Sequence, residues 1–375
     1  MSQRKEIADR TATLLEEAQP SLRDLPAVIG YDGFVDEIIG VVDKRLDFES
    51  HTSIEKIATF AEKVFAASGR SSNFELVVQT VKLGGNGPIM ANALAAAGLP
   101  ITYIGNLGYP TLHPVFEELA HRATVYSVAE PGHTDALEFG DGKLMLGKLT
   151  PIKEVNWKNL KERIGLDKIV ESFERSRLVS AVNWTMVPHM ETIWSGLLEE
   201  VLPNLSAAKR LFFFDLADPE KRTDGDKARV LQMLKKFRPY GEVILGLNLK
   251  EAIQVASVLG LPEIAEPESA IEQTCGRIRA ALGIQGVVIH PRSSAAADIE
   301  GDSATFMGPL VHDPKISTGG GDHFNAGFCL GRLLEMGVAE SLCLGTATSG
   351  YYVRTAVSPS GEQLVPFLRR LPEPE

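Results

Sequence analysis

Residues Ser317-Thr318-Gly319-Gly320-Gly321-Asp322-His323-Phe324 place three successive glycines directly before an acid and an apolar run, Asn325-Ala326-Gly327-Phe328-Cys329-Leu330. Lacking Cβ atoms, glycine backbones can turn several N–H groups toward one point. The apolar run after them has helical character, which aims the positive end of a helix dipole at the same point. Free amides at a helix N-terminus make an anion hole, suited to a phosphoryl group that gains charge in transit. Asp322 falls on the first helical turn, where it can accept a proton from a hydroxyl attacking that phosphorus. Phosphoryl transfer needs chiefly positioning, charge stabilisation and one residue to orient or deprotonate the nucleophile. Taken alone, the segment also describes a tight turn whose acid suits the helix dipole, so other segments must decide.

Two common alternatives fail on spacing. Gly85-Asn86-Gly87 reaches Met90 and Gly319-Gly320-Gly321 reaches Phe324, so neither completes the GxGxxG of a dinucleotide fold, and no GxxxxGK[ST] phosphate loop occurs. The segment STGGGDHFNAGF resembles the C-terminal signature of the ribokinase-like (PfkB) carbohydrate kinases, with Ile316 where that signature often opens on aspartate. The resemblance implies that Asp322 is the catalytic base and that Gly319, Gly320 and Gly321 form the anion hole. Gly30-Tyr31-Asp32-Gly33-Phe34-Val35-Asp36 is similar to the family's first strand, whose terminal acid, here Asp36, binds acceptor hydroxyls. A carboxylate can accept from two adjacent hydroxyls and so reject analogues that lack them.

Gly84-Gly85-Asn86-Gly87-Pro88-Ile89 is similar to the family's substrate-binding double glycine. Ile89 replaces an asparagine common there, which leaves Asn86, with Gly84 and Gly85, as the acceptor-side set. Asn248-Leu249-Lys250-Glu251 is similar to the family's N-x-x-E, which implies that Asn248 and Glu251 organise Mg²⁺ or another divalent cation. Side chains at i and i+3 share a helical face, and hard cations prefer such oxygen donors with several retained waters. The family's T-x-G-x-x-G nucleotide run is replaced by His290-Pro291-Arg292-Ser293-Ser294-Ala295, and of a D-x-N-x-R only Asp215 remains. Thr318, His290 and Arg292 are the nucleotide-side candidates, with a positive contact expected from His290 or Arg292. The implied co-substrate is ATP, and a monovalent cation is compatible. The altered loop and GGNGPIMAN also resemble ADP-dependent sugar kinases of the same fold. A sensor of sugars or nucleosides that kept the fold without turnover is the alternative outside enzymology.

These segments need a scaffold that brings distant loops together. Apolar β-type runs at 27–30, 101–105, 178–182, 211–215, 243–247 and 286–290 alternate with helical patterns at 88–97, 190–202, 227–237 and 268–282. Such alternation reads as an α/β, doubly wound, mostly parallel sheet with helices on both faces. Ligands in such sheets bind beyond the carboxyl ends of strands. Segments near 36–47, 74–82 and 134–149, the last with a Gly140-Asp141-Gly142 turn, read as a small β lid over the site. The expected organisation is an N-terminal helix at 1–25, one ribokinase-like kinase domain at 26–370 carrying the lid, and a flexible tail at 371–375.

The 375 residues carry a net charge of −11, which argues against a general nucleic-acid or anionic-membrane binder. The expected partners are a sugar-like small molecule and a nucleotide, with homodimerisation through the lid compatible with a strand edge to be covered. Cys275, Cys329 and Cys343 form no CxxC pair and read as core residues, and the scattered histidines offer no zinc spacing. No apolar leader and no apolar run of about 18 residues occurs, so the expected compartment is the cytoplasm. The residues do not name the acceptor.

Overall fold

The structure is a computed structural model and describes residues 2–262 and 269–375. The central sheet is built from β1 (Ala27–Tyr31), β5 (Ile101–Gly105), β6 (Ala123–Ser127), β9 (Leu178–Ala181), β10 (Leu211–Asp215), β11 (Glu242–Leu247), β12 (Gly286–Ile289), β13 (Ser294–Ile299) and β14 (Asp302–Met307). Their order across the nine-stranded sheet is β14-β13-β12-β11-β10-β9-β1-β5-β6. From β12 to β6 every pairing is parallel, and β13 and β14 close one edge as an antiparallel hairpin.

The near-continuous apolar character of these strands follows from burial on both faces. In β10, Phe212 and Phe214 join the apolar layer that contains Trp194 and Phe237, while Phe213 points into the opposite layer with Phe324 and Phe328. All three phenylalanines are fully or almost fully buried. The helix Gln3–Ala18 packs on the helices Val338–Thr355 and Gly361–Arg369. The expected helix at 190–202 is a helix Met190–Gly196 continued by a π-type turn, Leu197–Val201, and a short 3₁₀ turn. The one expected from 268 runs Ile271–Leu282, and Glu268 lies outside the described residues. The three cysteines are free and buried, as expected of core residues.

The second sheet comprises β2 (Phe34–Arg45), β3 (His51–Ser53), β4 (Leu76–Gly84), β7 (Gly132–Phe139) and β8 (Gly142–Lys148). β2 is its spine, antiparallel to β3 and β4 and parallel to β7. On its outer side, Ile39, Val41, Ile54 and Leu137 pack with Phe60, Phe74, Phe139 and Leu144 under the helix Ile57–Ala66. Alternation along the strands puts Asp36, Lys82 and Thr134 on the other face, where Asp36 pairs with Lys82 on one side and Thr134 on the other. Among the described residues no helix is long and apolar enough to cross a membrane.

Candidate active site

The carboxyl ends of the parallel strands converge. Asp32 follows β1, Asn183 follows β9, Asp215 ends β10, Asn248 follows β11 and His290 follows β12. Opposite them stands the helix Gly320–Leu333, whose N-cap is Gly319 at φ 91°. That left-handed conformation suits glycine, which has no Cβ to crowd. The N–H of Gly320 turns back to the Ser317 carbonyl at 3.3 Å, so it is weakly committed within the loop. Among the described residues the N–H groups of Gly321 and Asp322 have no backbone acceptor, which leaves them open to an anion.

Asp322 is buried, and its Oδ1 accepts a hydrogen bond from Asn86 Nδ2 at 2.8 Å. Asn86, expected to face the acceptor, thus holds one oxygen of the candidate base and leaves the other free. Asn86 begins the helix Asn86–Ala97, two residues earlier than Pro88 suggested.

That helix is anchored by Asp32, which the sequence did not single out. Asp32 is completely buried and accepts from Asn86 N at 2.9 Å, Gly87 N at 2.8 Å and Asn183 Nδ2 at 2.6 Å, while its own carbonyl accepts from the Tyr103 hydroxyl. It fixes the first turn of the acceptor-side helix against β1 and the segment after β9. Asp36 lies beside Gly84, where any Cβ would run into the Asp36 carboxylate. A Cβ at Gly85 or Gly87 would crowd Asp32 in the same way. The glycines here make room for two carboxylates.

On the other side of Gly320 and Gly321 opens a cavity of about 580 Å³, also lined by Asn248, Lys250, His290, Arg292 and Ser317. His290 and Arg292 therefore sit together at the expected nucleotide position. Burial pushes the His290 ring down to about 4, and it packs on Phe324 with centroids 4.6 Å apart. A neutral ring lines the wall there, so the positive charge on this side comes from Arg292, since Lys250 is paired with Glu220 at 2.8 Å and with Asp218 at 3.4 Å. Thr318 is not part of this lining; its Oγ1 accepts from Lys143 Nζ of β8 at 2.7 Å, which ties the second sheet to the glycine loop. Asn248 and Glu251 form a capping box: Asn248 Oδ1 accepts from Glu251 N, and Glu251 accepts from Asn248 N and Asp218 N at 2.8 Å each. Each Glu251 oxygen keeps a free lone pair.

Among the described residues no Lys or Arg is hydrogen-bonded to Asp32, Asp215, Glu251 or Asp322. Burial pushes Asp322 up to about 8 and Asp32 up to about 6, and burial with the nearby Glu251 and Asp322 charges holds Asp215 well above the carboxylate range. Among the described residues no three acidic, His or Cys side chains stand close enough to hold a metal alone. The donor set therefore fits a divalent cation shared with phosphates and water, and fits a closed protein cage poorly.

The excess of buried acid has a sign. The unfolded chain releases these protons near 4, whereas the folded protein keeps them to higher pH, so folding stability falls as pH rises across that window. Ligand-free protein should show a smaller Tm advantage over Asp322→Asn at pH 8 than at pH 5. Equal differences at both pH values would mean that Asp322 is not strained when ionised.

A parallel sheet with a glycine-cradled acid at its carboxyl edge, facing a nucleotide-sized cavity, defines a sugar kinase of the ribokinase-like class. The fold is shared with the ribokinase of Thermotoga maritima (TM-score 0.59, 16% identity, 92% of this chain and 99% of that one). It is shared equally with the adenosine kinase of Sinorhizobium meliloti (TM-score 0.61, 14% identity, 93% and 99%) and a probable sugar kinase of Rhizobium etli (TM-score 0.62, 15% identity, 93% and 98%). Residues 5–370 match the family model of prokaryotic ketohexokinases, and the chain is 30% identical over 368 residues to the ketohexokinase of Haloferax volcanii, spanning 96% of each. The chain belongs to the prokaryotic ketohexokinase family, and it is a phosphotransferase with an alcohol group as acceptor.

Proposed function

We propose that the protein transfers the γ-phosphoryl group of ATP to a hydroxymethyl oxygen of a ketohexose, with Asp322 as general base. The observation that carries this reading is the held carboxylate: Asn86 occupies Asp322 Oδ1, leaving Oδ2 for the acceptor hydroxyl, while the Gly321 and Asp322 amides stand ready beside it. The ketohexose comes from the Haloferax volcanii relative. The sugar rests between Asp36 and Asn86, donating hydroxyl hydrogens to the Asp36 carboxylate. Asp322 takes the proton as the oxygen attacks phosphorus, and the amides receive the charge on the phosphoryl oxygens.

ATP occupies the cavity between His290, Arg292 and the glycine loop. Asn248 and Glu251 are the residues that would hold Mg²⁺, which would supply neutralisation of phosphate charge. The second sheet acts as the lid, with Lys143 on Thr318 holding it against the loop, and excludes water from the transfer.

The lost glycines at 290–295 favour keeping ADP as a second donor reading. A matrix of ATP and ADP against D-fructose, aldohexoses, ribose and nucleosides tests both: ATP with fructose should give the highest kcat/KM. ADP as the better donor would overturn the donor, a better aldose or nucleoside would overturn the acceptor, and binding with no turnover would make the protein a sensor.

A further inference from the structure

The carbonyls of Thr318 and Gly319, at the start of the catalytic helix, are each gripped by a ring-bearing side chain. In a regular helix the N–H of Asp322 bonds the carbonyl four residues earlier, that of Thr318. Here the Thr318 carbonyl instead accepts from the Tyr352 hydroxyl at 3.1 Å. The next carbonyl, of Gly319, is held by His323 Nδ1 at 2.7 Å as well as by the His323 N–H at 3.1 Å. A carbonyl only accepts, so Nδ1 carries the ring proton and Nε2, 2.9 Å from Ser358 Oγ, receives the serine hydrogen. Burial, which lowers the ring to about 4, keeps that neutral form, and burial likewise keeps the Tyr352 hydroxyl protonated up to about 12.

The two rings are themselves locked together, stacked 3.6 Å apart at 11°. Ser358 also accepts from Asn92 Nδ2 at 3.1 Å, on the helix whose first turn carries Asn86. A continuous path thus runs from the glycine loop through His323 and Ser358 to the acceptor-side helix. Neither ring lines the nucleotide cavity. Both instead line a second, larger hollow that also includes Lys82 and Ile89, so neither contacts a nucleotide in the first cavity.

We infer that His323 and Tyr352 are positioning residues: Tyr352 draws the Thr318 carbonyl away from the Asp322 N–H, His323 pins the Gly319 carbonyl at the first helical bond, and together they aim the Gly321 and Asp322 amides at the phosphoryl group. This deepens the proposed kinase reading and rests on it. A pair that sets the amides matters in the transition state, when the charge they meet is largest, and little for binding either ground-state substrate.

Three variants separate this from a packing role. Tyr352→Phe keeps the stack and loses only the bond to Thr318. His323→Phe keeps a ring on Tyr352 without the donor, and His323→Asn restores a donor at the Nδ1 position without the ring. Each is assayed for kcat, the KM of the sugar, Tm, and inhibition by nitrate, a planar three-oxygen anion that mimics the phosphoryl group in flight, with ADP present. Tyr352→Phe and His323→Phe should lower kcat between about tenfold and 10²-fold with the sugar KM little changed, the size expected for misplacing an oxyanion donor. Nitrate should bind more weakly by a similar factor, and His323→Asn should recover most of both losses. Unchanged nitrate affinity in both phenylalanine variants overturns the proposal, as does a kcat loss that follows a fall in Tm. Nitrate titration with ADP alone reads the amides even if wild type turns over no ketohexose, so failure of the substrate reading shows separately in the wild-type assay.

Discussion

Asp322→Asn lowers kcat by about 10²–10⁴-fold while nucleotide affinity stays close to wild type, the range a positioned general base contributes. The substitution is close to isosteric, and an amide oxygen can still accept from Asn86 Nδ2. It removes the group that takes the proton and keeps the helix turn and its amides. Wild-type kcat/KM should rise with pH toward the value of the ligand-free base, which burial pushes up to about 8, because only the carboxylate accepts a proton. The asparagine variant should lose that limb. A variant that turns over its best acceptor near the wild-type rate, with the limb intact, shows that the proton leaves by another route.

Asp36→Ala is expected to damage acceptor use and spare the donor. Asp36 is buried, bonded to Thr134 and flanked by the Lys82 and Lys143 charges, and burial raises its carboxyl above the usual range. A sugar hydroxyl that donates to it replaces lost water. Hydrogen bonds to charged groups contribute about 1.5–3 kcal/mol each, so kcat/KM for the ketohexose should fall at least tenfold. The loss should shrink with a deoxy analogue that lacks the contacted hydroxyl, since the contact is then absent in both enzymes. Gly84→Ala should reproduce the pattern, because its methyl would displace the same carboxylate. Equal losses on parent and analogue would leave Asp36 a structural acid at the strand end.

The parallel sheet was legible because its strands are apolar on both faces, as in the LFFFD of β10, and the second sheet because Gly140-Asp141-Gly142 marks a turn between β-type runs. Gly319 to Asp322 was legible because consecutive glycines before a helix have few other uses. Asp32 was not, since its partners Asn86, Gly87 and Asn183 lie 54, 55 and 151 positions away and nothing local marks it. The contact of Asn86 with Asp322 spans 236 positions and was equally hidden. The hairpin of β13 and β14 escaped because SAAADI is half alanine, with Ile299 at its very end as its one residue of the β-branched or aromatic kind that signals strands. His290 was expected to be able to carry charge because sequence alone does not report desolvation.

The packing of Gly84 on Asp36, and of Gly85 and Gly87 on Asp32, bears on how this enzyme can change. Each glycine is tied to an acid that has its own duty, so a substitution at any of the three disables a second residue at once and leaves a library there almost barren. The open ground is the inner face of the second sheet, where Thr80 and Ala136 flank Ile38 and Met145 lies across from Ala136, on the same side as Asp36. Selection for a new sugar should therefore accumulate changes at Thr80, Ala136 and Met145 while the glycine run between β4 and its helix stays frozen.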